Sequence, residues 1–154
     1  MVPERFQRYS TEETIRQVAA LAGVDHAAWM QDWPLEVADP SRLEEFIDLL
    51  LTSDTADNRT GSGLAFELAR LVIYSLDAAE PHLRERNWPV VRAVLVGRPR
   101  RYAHHIFYWS LGAERPDGVW VPDPEWGTDD GTFAIAPLMR SVLVEVAGEL
   151  EVQF

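Results

Sequence analysis

Asp39-Pro40-Ser41-Arg42-Leu43-Glu44-Glu45-Phe46-Ile47-Asp48-Leu49-Leu50-Leu51 decides how the rest of the chain is read. Aspartate accepts hydrogen bonds from the free amides at a helix start, and proline fits the first helical position because its missing N–H has no partner there. Leu43, Phe46, Ile47, Leu50 and Leu51 then recur at i, i+3, i+4, i+7 and i+8, while Arg42, Glu44, Glu45 and Asp48 face elsewhere. This is an amphipathic helix with one face for a core.

The same pattern extends in both directions. Upstream, Ser10-Thr11-Glu12-Glu13 reads as a capping box, with Ile15, Val18, Ala19 and Ala22 as the stripe and Gly23 as the stop. Downstream, Thr52 to Gly63 is a polar connection, and Ser62 is placed to cap a long helix carrying Leu64, Leu68, Leu71, Val72, Ser75 and Leu76. Asn87 suits the cap of a short helix with Val90, Val91, Val94 and Leu95. Pro99 opens another, with Tyr102, Ile106, Trp109 and Ser110 as its stripe and Gly112 as its end. Residues 113–134 lose periodicity and are rich in proline and glycine. Pro137 restarts a helix through Leu138, Val142, Leu143 and Val146, and the tail from Glu149 to Phe154 alternates as a short strand does. The expected fold is all-α: one domain over 1–154, about six helices, one long irregular loop and a short C-terminal strand.

Composition bounds the function. The chain has 154 residues, twenty-five acids, fourteen bases and a net charge of −11, and every base is arginine. Such a surface lacks the surplus cations that phosphate neutralisation needs, so nucleic acid is not an expected partner. Without cysteine there are no disulfides, thiolate metal sites or cysteine nucleophiles. No apolar run is long enough for a bilayer, and Met1-Val2-Pro3-Glu4-Arg5-Phe6 lacks the apolar stretch of a signal peptide. A cytoplasmic protein is expected. The charge is segregated: −8 over residues 1–57, +4 over 58–115 and −7 over 116–154.

Motifs for catalysis do not accumulate. His104 and His105 are adjacent, so on a helix they point about 100° apart and chelate one ion poorly. Asp123, Glu125, Asp129 and Asp130 resemble a calcium loop, but the positions for its glycine and its bidentate glutamate hold Thr128 and Ala134. No metal or cofactor is expected. Gly61-Ser62-Gly63 lacks the strand of a nucleophile elbow, and no phosphate-cradling glycine loop is present. Arg98, Arg100 and Arg101 straddle a helix start and read as structural pairs. A binding role is expected rather than an enzyme.

The long loop is the expected contact surface. Trp120 and Trp126 alternate there with Asp123, Glu125, Asp129 and Asp130, a mixture of aromatics and acids suited to a basic partner. The acidic helix face of Glu44, Glu45 and Asp48 is the next candidate.

The stretch Met30-Gln31-Asp32-Trp33-Pro34-Leu35-Glu36-Val37-Ala38-Asp39-Pro40-Ser41-Arg42-Leu43-Glu44-Glu45-Phe46 resembles a signature in small acidic bacterial proteins. Leu64 to Asp77, Tyr108-Trp109 and Ile135 to Arg140 fit the same resemblance, which spans residues 10–143. In general character the chain is similar to immunity proteins of the toxin-neutralising type. That resemblance implies a non-enzymatic protein that binds a basic toxin, nuclease or deaminase. It carries over no functional residue. Two other classes stay open: a structural or regulatory interaction module, and a small metal-dependent enzyme using the acidic 123–130 loop.

Overall fold

The computed structural model describes residues 2–26, 33–56, 63–122 and 133–154. Seven α-helices lie among them: α1 (Glu12–Ala22), α2 (Trp33–Val37), α3 (Leu43–Ala56), α4 (Gly63–Asp77), α5 (Pro81–Gly97), α6 (Pro99–Ser110) and α7 (Ala136–Val146). One two-stranded antiparallel sheet accompanies them, β1 (Gly112–Glu114) with β2 (Trp120–Pro122). The fold is all-α with one small hairpin. No helix among the described residues is long and apolar enough to cross a membrane. The chain's contacts gather into two compact units, residues 9–94 and residues 1–8 with 95–154.

In the first unit α4 is the central helix, packed by α3, α1 and α2. Its sequence is apolar on nearly every side, as a helix surrounded by others requires: Leu68, Leu71, Val72, Ile73 and Leu76 are all fully buried. From α3 come Leu43, Phe46, Ile47 and Leu50, the stripe read from the sequence; Leu51, its fifth member, is partly exposed. Asp39 caps the Pro40–Arg42 turn that leads into α3, accepting from the Ser41 amide at 3.0 Å. Gly63 lets α1 and α4 come close, since a Cβ there would overlap the Thr14 side chain.

Three expected boundaries move. The capping box of α1 is Thr11 with Thr14, not Ser10 with Glu13, because the Ser10 hydroxyl is engaged by Arg70 of α4. Helix α3 runs on to Ala56, so the polar connection begins later than Thr52; the Thr52 and Thr55 hydroxyls bond back to carbonyls of the preceding turn. Asn87 caps nothing. It lies inside α5, which starts at Pro81, and its side chain donates to the Leu83 carbonyl at 2.9 Å. Pro89 removes one ladder bond on the exposed side of α5.

The second unit is built on α6 against α7. Tyr102, Ile106, Phe107 and Trp109 of α6 and Met139, Val142 and Leu143 of α7 are fully buried. Helix α6 ends one residue before the expected glycine, with Leu111 in the left-handed conformation at φ 52°. Gly112 is needed for another reason: a Cβ there would overlap the Trp120 ring across the hairpin. The hairpin pairs Ala113 with Val121 and turns through Gly118 at φ 83°. Its short strands carry too little alternation to be read from sequence. The C-terminal tail, expected as a strand, makes a single parallel bridge of Gln153 to Val119, the residue before β2.

Arginine closes helices in both units. Arg42 donates to the Ala22 and Gly23 carbonyls at the end of α1. Arg84 donates to Leu76, Asp77 and Ala79 after α4, and Arg140 to Ser110 and Leu111 after α6. A guanidinium suits these sites because its fork meets several orphan carbonyls and opposes the negative end of the helix dipole.

Candidate protein-binding surface

Of the residues expected on the contact loop, Trp120 lies on β2 and is 4% exposed. Its ring rests on Gly112 and meets Phe154 edge to face at 6.0 Å, so it serves the packing of the hairpin. Asp123, Glu125, Trp126, Asp129 and Asp130 lie outside the described residues. The histidine pair is divided: His105 is buried, whereas half-buried His104 accepts from the Arg8 amide at 3.0 Å and stacks on Tyr108. Among the described residues no three His, Asp or Glu side chains gather as metal ligands.

The acids are unevenly shared. The unit of residues 9–94 holds fifteen acids and seven arginines, a net of −8, and the other unit ten acids and seven arginines, a net of −3. On α3, Glu44, Glu45 and Asp48 all point outward, yet two of them have partners. Glu44 meets Arg86 at 3.2 Å. Glu45 takes two bonds from Arg42, at 2.7 and 3.0 Å, and these hold its carboxyl below the ordinary range. Asp48 has no ion pair among the described residues.

Next to that face is a notch of about 240 Å³ lined by Gly23, Val24, Asp25, Glu36, Val37, Asp39 and Arg42. Helix α1 supplies its closing turn at Gly23, whose φ of 65° turns the chain toward Asp25. Helix α2 supplies Glu36, and the Asp39 cap completes the rim. Among the described residues Arg42 is the one cation on this rim: its donors serve the end of α1 and Glu45, and its charge also acts on Asp39. Asp25 and Glu36 are exposed and have no ion pair among the described residues. Carboxylates held this way accept charge-assisted hydrogen bonds from an incoming guanidinium or ammonium.

Sequence reading passed over Asp25 and Glu36 because they are isolated acids with no spacing rule. What brings them together is the return of α2 beside the end of α1. No protein-family model matches the chain, and no curated protein and no solved structure matches it.

Proposed function

We propose that this chain is a non-enzymatic binding protein that neutralises a basic toxin, of nuclease or deaminase type, by direct contact through the acidic surface of residues 9–94. The observation that carries the reading is the notch in which three acids, Asp25, Glu36 and Asp39, stand with one arginine, Arg42. A field of −8 on one small unit speeds capture of a cationic partner, and it competes for the cleft in which such an enzyme holds phosphates. Exposed carboxylates of this kind contribute little to stability, so the surface is free to serve binding. The test is inhibition: the product of the neighbouring open reading frame is assayed for nucleic-acid cleavage or base deamination with and without this protein. Stoichiometric inhibition that weakens with salt supports the reading. Full toxin activity in excess binding protein at low salt rejects it.

One feature favours a second reading, an interaction module acting on a cellular partner or a second copy. Leu51, Pro89, Val90, Ala93 and Val94, with Asp54, form a shallow apolar groove of about 480 Å³ between α3 and α5. Light scattering decides on self-association: a monodisperse monomer removes the second-copy version.

A further inference from the structure

Helix α4 buries one acid in its middle. Glu67 is 0% exposed, and neither of its carboxylate oxygens has a hydrogen-bond partner among the described residues. The nearest cation is Arg70, one turn on, whose Nη1 stops 3.9 Å from Glu67 Oε2. That same Nη1 donates instead to the Ser10 hydroxyl at 2.5 Å. Ser10 immediately precedes Thr11, the residue that caps α1. A single guanidinium group therefore stands between a buried carboxyl and the anchor that seats the start of α1 on α4.

Among the described residues, two groups act on the Glu67 carboxyl against its burial. The Ser10 hydroxyl and the Arg70 charge both favour the ionised form, and burial outweighs them, raising the pKa above the ordinary carboxyl range. The other charged groups on the packed helices point away. Glu12, Glu13 and Arg16 on α1, Glu36 on α2, and Glu44, Glu45 and Asp48 on α3 are exposed, and buried Asp54 on α3 has interactions of its own. Tyr9, beside Ser10, is 80% exposed.

We propose that Glu67 is a proton-binding site that couples the seating of Ser10 and the capped start of α1 to pH. With the carboxyl protonated, the neutral group stays in its apolar surroundings and Arg70 remains on Ser10. When it loses its proton to solvent, the carboxylate draws Arg70 away from Ser10 and takes the Ser10 hydroxyl as its own donor. The capping box of Thr11 and Thr14 is then seated on α4 through a buried charge, and the cost of burying that charge loosens the seat.

The sign follows from linkage. A carboxyl whose folded-state pKa is raised binds extra protons in the native state. Its contribution to stability is therefore full below the ordinary carboxyl value, and that contribution is lost as pH rises through the raised one. Amide exchange at Thr14 and Ile15, corrected for intrinsic rates, reads the event locally. In the wild type, protection should fall several-fold as pH rises from mildly acidic to neutral, and in Glu67→Gln it should stay flat. Equal pH profiles for the two proteins overturn the proposal. A side-chain carbon titration of wild-type Glu67 by NMR does not depend on the variant folding. It should show a pKa above the ordinary carboxyl range, with the Thr14 and Ile15 amide shifts following the same curve. Titration within the ordinary range, or amide shifts that ignore it, also overturns the proposal.

Discussion

Residues 9–94 and the unit formed by 1–8 with 95–154 each hold seven arginines, yet they differ by five acids. Their arginines do similar work. Arg42 and Arg84 in the first close helix ends, as Arg140 does in the second, while Arg5 grips Glu114 with two bonds and reaches the Leu150 carbonyl. Arg42, Arg84 and Arg140 are drawn onto backbone carbonyls, while Arg16, Arg86 and Arg115 stay at the surface in exposed ion pairs. The acids left over therefore set the character of each surface, and the difference between the units is a difference in what they present to solvent. A count of net charge along the sequence misses this, because it treats an arginine that caps a helix as a surface charge.

The comparison is tested hardest at the two cores. Trp109 fills the α6 stripe and is 1% exposed, so Trp109→Ala should cost about 3–5 kcal/mol; Leu50→Ala in α3, 0% exposed, should cost about 2–5 kcal/mol. Denaturant unfolding measures both, and an unchanged midpoint in either removes that face from its core. The capping arginines come next. Arg84→Ala leaves the ends of α4 and its following turn without donors at three carbonyls, a loss of about 1–3 kcal/mol. A stability change within error there would mean that water replaces the guanidinium freely, and the inward-cation account would fail. Gly112→Ala forces a methyl into the Trp120 ring and should cost about 1–3 kcal/mol, with a change in the tryptophan near-ultraviolet signal.

The smallest effect is the exposed ion pair. Arg5→Ala should cost about 0–1 kcal/mol, less in high salt, since the Arg5 side chain is 40% exposed. Its pH dependence is opposite to that of Glu67. The hydrogen bonds from Arg5 hold the Glu114 carboxyl below the ordinary range, so their stabilisation is present at neutral pH and is lost as pH falls through the depressed value. In Arg5→Ala that acid-side loss should disappear from a stability-against-pH curve.

Local signals carried most of the helical fold. The Asp39 cap and the Leu43, Phe46, Ile47 and Leu50 face lie where their spacing places them, because both depend on residues a turn apart. What could not be read depends on distant partners. Ser10 loses the cap to Thr11 only because Arg70, sixty residues on, takes its hydroxyl. Gly112 looks like a helix stop, but its lack of a side chain makes room for Trp120. Arg42 sits on the polar side of a stripe, and nothing local says that it reaches back to Ala22. The candidate surface was legible as an excess of acid and not as a place, since Asp25, Glu36 and Asp39 come to line one notch through the path of α2.

The most direct measurement compares two charge-reversal pairs in association kinetics with the product of the neighbouring open reading frame, the proposed basic partner. Asp25→Arg with Glu36→Arg alters the notch in the unit of −8, and Asp129→Arg with Asp130→Arg alters the acidic loop first suggested by the sequence. The notch pair should shift the melting transition little, as Asp25 and Glu36 are exposed and exposed charges contribute little to folding. The notch pair should slow association markedly at low salt, with the defect shrinking as salt rises, and the loop pair should slow it less. A loop pair that abolishes capture while the notch pair binds at the wild-type rate would contradict the assignment of the contact surface to residues 9–94.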